Sequence, residues 1–202
     1  MISKKHILNR VENQIKKHNL ADKAAVLIPI IEDNDGRLSL LFEVRSSSLR
    51  SQPGDICFPG GKMDITDHSP SDTAIRETHE ELGITKNSIK IYGELPSFYS
   101  AIGFKIYPIV GELTSTQFSL NQAEVSHTFC VPLDWFINTT PIKATIEAAH
   151  RPADDFPFAL LPQKSKDWQK RSQHEVYIYQ YQGYVIWGLT AQIIQQFIKT
   201  VR

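Results

Sequence analysis

The sequence predicts a single α+β domain. Short apolar runs outnumber the helical stretches, and the two occur in mixed order. One central stretch, 69–83, has a capped helical pattern. Of the 202 residues 41% are hydrophobic, enough for one sizeable core. No repeat, low-complexity stretch or linker divides the chain. Residues 1–202 are therefore expected to form one domain, with an N-terminal helix over 1–20 and a core over 21–202.

In chain order, Ile7, Leu8, Val11 and Ile15 make an apolar stripe between lysines, which predicts a helix over 2–19. It is expected to pack on the domain rather than lie on a membrane. "AAVLIPII" (24–31) and "RLSLLFEV" (37–44) read as strands joined by a turn at Asp35-Gly36. A stretch rich in Ser, Gly and Pro from Ser46 to Thr66 reads as a loop. Ser69-Pro70-Ser71-Asp72 opens the central helix with an N-cap, a first-turn proline and an acid, and Gly83 stops it. Ala74, Ile75, Thr78 and Leu82 share the face it would bury. Strands follow at 88–95, 105–113 and 128–133, then a helix over 134–150 around "DWFINTT" and "ATIEAAH". A hairpin through Gln182-Gly183 (174–188) and an amphipathic helix (189–201) close the chain.

Lys plus Arg and Asp plus Glu each total 22, so no charge bias points to nucleic acid or an anionic membrane. Cys57 and Cys130 sit in apolar contexts with no CxxC pair and are expected as two buried thiols rather than a disulfide. No secretory leader pattern, apolar run of 18 residues or peroxisomal C-terminal tripeptide is present; the expectation is a soluble, cytoplasmic protein, its oligomeric state left open.

The chemistry concentrates in "RETHEELG". Glu77, Glu80 and Glu81, at i, i+3 and i+4, share a helix face near the negative end of the dipole. Like charges so placed destabilise by roughly 0.2–0.5 kcal/mol per i,i+4 pair. A hard divalent cation, Mg²⁺ or Mn²⁺, would compensate and would suit a phosphate substrate. An HExxH motif, a P-loop and a G-x-S-x-G elbow are all absent. An acidic helical face alone is more often solvated surface.

With its preceding loop, the segment resembles the signature of the Nudix hydrolases: Gly61, then Asp67, then "RETHEELGI" through Ile84. Asp67 stands where that signature has Glu, with eight rather than seven residues before Arg76, and Thr78 stands where an aliphatic residue is usual. The longer, aspartate-containing version resembles the coenzyme A diphosphatase branch, as does "LLFEVRSSSLRSQPGDICFPGG" from Leu40 to Gly61. The branch pattern is matched at Leu40, Leu41, Arg45, Ser46, Arg50, Gly54, Phe58, Pro59, Gly60 and Gly61; Phe42 and Val44 depart from it.

The resemblance implies a Nudix fold, an α/β/α sandwich around a mixed sheet, and hydrolysis of a small nucleotide substrate, coenzyme A. It implies Glu77 and Glu81 as metal ligands, with Glu80 as a third ligand or the general base. Arg76, four residues before Glu80, would orient that carboxylate. Gly60 and Gly61 would bring backbone close to metal or diphosphate, or simply form a turn. Arg45, Arg50 and Lys62 would meet phosphates, including the 3′-phosphate of coenzyme A, the alternative being surface charge. Glu124 lies where some Nudix proteins supply a downstream acid; otherwise it is a solvated loop residue.

Overall fold

The computed structural model describes residues 22–100, 103–160 and 165–202, so the helix expected over 2–19 lies outside them. The described residues fall into two compact units, one running to Thr140 and rejoined by Ile193–Arg202, the other Pro141–Gln192.

The first unit is built on β1 (Lys23–Glu32) and β2 (Leu38–Arg45), antiparallel across the Asp33–Arg37 turn, with Ile30 opposite Leu40. The expected loop over 46–66 contains two short strands, β3 (Ile56–Cys57) and β4 (Gly60–Lys62). They pair with β2 and β1 respectively, because β1 and β2 diverge beyond their hairpin and leave ladder groups to satisfy. Next come β5 (Ile89–Glu94), β6 (Phe98–Tyr99), β7 (Lys105–Leu113) and β8 (Val125–Pro132). The β1–β7 pair is parallel and the other pairs antiparallel, so the sheet is mixed.

Helix α1 (Pro70–Leu82) covers one face. Its Ala74 and Leu82 share a core with Leu27, Leu41, Ile109 and Leu113, against which Ile75 packs. The opposite face of β2 presents Phe42, fully buried and stacked on Phe58 and Phe129 at 4.8 and 5.4 Å between ring centroids. Phe136 of α2 (Leu133–Asn138) completes that cluster at 5.9 Å. Helix, sheet and helix thus form the expected layers.

Two expectations are corrected. Residues 134–150 are not one helix: α2 ends at Asn138, and Ile142–His150 is strand β9. Alanine-rich "ATIEAAH" has helical propensity, but pairing with β10 (Gln169–Tyr181) along its whole length overrides it. Cys57 is half-buried and Cys130 exposed, rather than both buried: Cys130 stands opposite Leu41 on β8, which among the described residues pairs with β2 alone and so has one side without a neighbouring strand.

The second unit contains β9, β10 and β11 (Tyr184–Trp187), with the expected hairpin turning at Gln182-Gly183. Helix α3 (Gly188–Val201) ends the chain, and in the first unit its Gln196 donates to the Pro96 carbonyl at 2.7 Å. Among the described residues no helix is long and apolar enough to cross a membrane.

Candidate active site

The acidic turn is held by a helix with both ends fixed. Ser69 Oγ accepts from the Asp72 amide at 3.2 Å, and the Asp72 carboxylate accepts from the His68 amide, a reciprocal cap. At the other end Gly83 takes φ +67 and donates to the His79 carbonyl. A Cβ on Gly83 would stand 2.2 Å from the Ser119 carbonyl oxygen, so the stop is required by packing as well as by conformation.

Arg76 is the hub. Its Nε and Nη2 donate to the two oxygens of Asp67 at 3.1 and 2.9 Å, and Nη2 also reaches the Lys62 carbonyl at 3.1 Å. Its Nη1 donates to Glu77 at 2.7 Å and to Glu80 at 3.2 Å, the latter being the i,i+4 contact expected from spacing. Asp67 also accepts from Thr73 Oγ1 and the Asp64 amide, both at 2.8 Å. These donors hold its carboxyl down to about 2, the Arg76 hydrogen bonds first among them. The Asp67 side chain is 4% exposed and that of Glu80 51%, so Arg76 ties a buried acid to one open to solvent.

Glu81 is 5% exposed. Burial pushes its carboxyl up to about 8, against the Gly60 N–H, which donates to Oε2 at 2.9 Å. Glu77 and Glu124 raise it further, and Arg45 opposes them. Glu77 is also raised, by burial first, in spite of Arg76. The two glycines act differently. Gly60 sits at φ +153, and a Cβ there would meet the Ala25 carbonyl at 2.4 Å. At Gly61 a Cβ would lie 2.5 Å from the Glu77 carboxylate. Bare backbone is needed at both, at Gly61 because the acid occupies the space.

The residue that spacing does not reveal is Glu43. It is 1% exposed on β2, and among the described residues its Oε1 is buried without a hydrogen-bond partner. Burial, then the charges of Glu81, Glu124 and Glu77, hold its carboxyl well above the usual range, with Arg45 opposing. The one signal in the sequence is an acid inside the apolar run "LSLLFEVR". Half-buried Arg45 lies among the same acids: its Nε is also buried without a partner among the described residues, and Nη2 reaches the Ser51 carbonyl at 3.4 Å.

Glu124 is exposed before β8, its backbone carbonyl accepting from the Ser46 amide at 2.7 Å. Its charge raises Glu43, Glu77 and Glu81 alike. Arg50 is exposed beyond β2, and the Lys62 ammonium sits over the Phe104 ring, 4.9 Å from its centroid.

Among the described residues no three His, Cys, Asp or Glu side chains are grouped so as to hold a metal ion as they stand. Arg76 engages Glu77 and Glu80, and the Gly60 amide engages Glu81. The donor set nevertheless fits a hard divalent cation. It is all carboxylate, two of its members are raised by burial, and Glu43 beside them has an unpartnered oxygen.

Comparisons with known proteins give the family. The NUDIX domain family matches residues 21–175. A Nudix hydrolase NudL of Pectobacterium atrosepticum is 38% identical over 176 residues, covering 86% of this chain and 80% of its own. The peroxisomal coenzyme A diphosphatase NUDT7 of Mus musculus is 37% identical over 122 residues, covering 60% of this chain and 51% of its own. Among solved structures, the M. smegmatis Nudix hydrolase RenU has a TM-score of 0.48 at 19% identity, over 56% of this chain and 71% of that one. The family shares a dependence on divalent metal ions. With a matched domain over most of its length and its glutamate helix set against a glycine loop, the chain belongs to the Nudix family, hydrolases of phosphoanhydride bonds.

Proposed function

We propose that the chain hydrolyses the diphosphate bond of coenzyme A or its derivatives, giving 3′,5′-ADP and 4′-phosphopantetheine, with Mg²⁺ or Mn²⁺. The observation that carries this reading is the joining of two segments. The stretch Leu40–Gly61, which resembles the coenzyme A branch, ends in the glycines whose backbone meets Glu81 and leaves room for Glu77. The 37% identity to the mouse coenzyme A diphosphatase supports the same substrate class.

Glu77, Glu80 and Glu81 would hold the cation, which would supply charge neutralisation at the phosphates and a more acidic water. Glu80, the most exposed of the three, takes the proton from the attacking water, and Arg76 restrains its carboxylate. The Gly60 amide keeps Glu81 in place. Arg45, Arg50 and Lys62 bind substrate phosphates, Arg50 being the one assigned to the 3′-phosphate. The proposed setting is the cytoplasm, with a small-molecule substrate and no nucleic-acid or membrane partner.

The test is a panel of coenzyme A, ADP-ribose, NADH and diadenosine polyphosphates, each incubated with Mg²⁺ or Mn²⁺, with products identified by chromatography. Coenzyme A is expected to have the highest kcat/KM. A higher value on ADP-ribose or a dinucleotide moves the substrate elsewhere within the family, and turnover of none of them points to a nucleotide-binding module without catalysis.

A further inference from the structure

Glu43 has no role in the mechanism above. On β2, Leu41, Glu43 and Arg45 alternate onto the face that α1 covers, where Leu41 packs with Ala74 and Leu82. Cys57 stands opposite Glu43 in the β2–β3 ladder, so its thiol shares that face. The charges facing Glu43 are Glu81 and Glu77 from α1, Glu124 from the turn before β8, and Arg45 on its own strand.

Acids outnumber the cation there, and among the described residues Glu43 Oε1 and Arg45 Nε are each buried without a hydrogen bond. An unpartnered carboxylate oxygen behind a 1% exposed side chain is costly, and leucine or valine at this position would remove the cost. None of the described residues satisfies this oxygen, and a partner that suits a site so rich in carboxylates is positive.

We propose that Glu43 is a further oxygen ligand of the divalent-cation site, closing it from the sheet side while the α1 glutamates close it from the helix side. The proposal rests on the reading of Glu77, Glu80 and Glu81 as a metal site. It makes the centre two-walled, one wall a helix turn and the other a strand.

The experiment is Mn²⁺ binding to chelator-stripped protein, read from the free-ion electron paramagnetic resonance signal, with the melting temperature measured alongside. The variants are Glu43→Gln, Glu43→Asp, Glu81→Gln and, as a control in the second unit, Glu175→Gln. Glu43→Gln is expected to bind Mn²⁺ about 10- to 100-fold more weakly than wild type. Glu43→Asp should recover part of that loss, and Glu175→Gln should match wild type. Without metal, Glu43→Gln should melt no lower than wild type, because a neutral isostere removes a buried acid from among like charges. Wild-type Mn²⁺ affinity in Glu43→Gln, together with a loss in Glu81→Gln, overturns the role of Glu43 and leaves the helix site standing. Absence of Mn²⁺ binding in wild type overturns the metal site itself. A metal-free Glu43→Gln that melts well below wild type also overturns the proposal, because the carboxylate would then be serving the fold.

Discussion

Arg76 meets Asp67 as a fork meets a fork: Nε and Nη2 donate to Oδ1 and Oδ2 at 3.1 and 2.9 Å across the loop that precedes α1. The free edge of the same guanidinium then holds Glu77 and Glu80. One side chain thus anchors the loop to the helix and fixes the direction of two carboxylates. Lysine could do neither with the same geometry.

Asp67→Asn should accordingly destabilise the protein. The carboxyl is held at about 2 against an ordinary 3.8, so its ionised form contributes about 2 kcal/mol at neutral pH. In a chain of this size that is a fall of about 4–8 °C in Tm. A depressed carboxyl contributes above its unfolded value and loses that contribution as pH falls through the folded one. The gap between wild type and variant should therefore narrow from pH 4 toward about 2, and thermal melts across that window check it.

Glu81→Gln should lose most turnover while keeping the fold. Losing a carboxylate that neutralises phosphate charge through a bound cation removes several kcal/mol, or roughly two to three decades in kcat. Stability should move the other way. With its carboxyl raised from 4.5 to about 8, metal-free wild type loses stability as pH rises through that interval, whereas the glutamine variant does not. The Tm difference in chelator should grow from pH 4.5 to pH 8 in favour of the variant; a variant with wild-type turnover refutes the assignment.

The paired glycines should separate fold from function. Gly60→Ala puts a methyl 2.4 Å from a backbone carbonyl at φ +153, so Tm should fall, by about 1–3 kcal/mol equivalent. Gly61→Ala meets the movable end of Glu77 first, so Tm should change little while kcat falls about tenfold or more through the displaced carboxylate. Melting and steady-state kinetics on the two variants are enough to check this.

Arg50→Ala should weaken intact coenzyme A more than dephospho-coenzyme A. A charge-assisted hydrogen bond is worth roughly 1.5–3 kcal/mol, or about one to two decades in kcat/KM. Equal losses on both substrates would assign Arg50 to the diphosphate or to the loop itself.

Much of this was legible in sequence where the cause is local. Ser69, Pro70 and Gly83 mark α1 because caps act within a few residues, and the i, i+3, i+4 spacing of Glu77, Glu80 and Glu81 fixes their common face. The Arg76–Glu80 contact follows from the same periodicity. What stayed hidden depends on distant partners. "ATIEAAH" becomes a strand because β10 lies beside it, and no residue within the segment says so. Glu43 matters because the fold sets it against Glu81 and Glu77 from α1 and Glu124 from the turn before β8, two distant places in the chain. The Gly60–Glu81 hydrogen bond joins residues 21 positions apart and has no local signature.

Strand β2 carries a further consequence. Phe42 belongs to the aromatic stack on one side, and its neighbour Glu43 to the acid cluster on the other. A slip of a single residue in pairing with β8 would drive the carboxylate into the rings and the ring among the carboxylates. Misfolding and loss of the site are thus the same event: no stable copy of this sheet can carry the centre in the wrong alignment. A preparation's active fraction, counted by tight-binding inhibitor, should equal its cooperatively melting fraction.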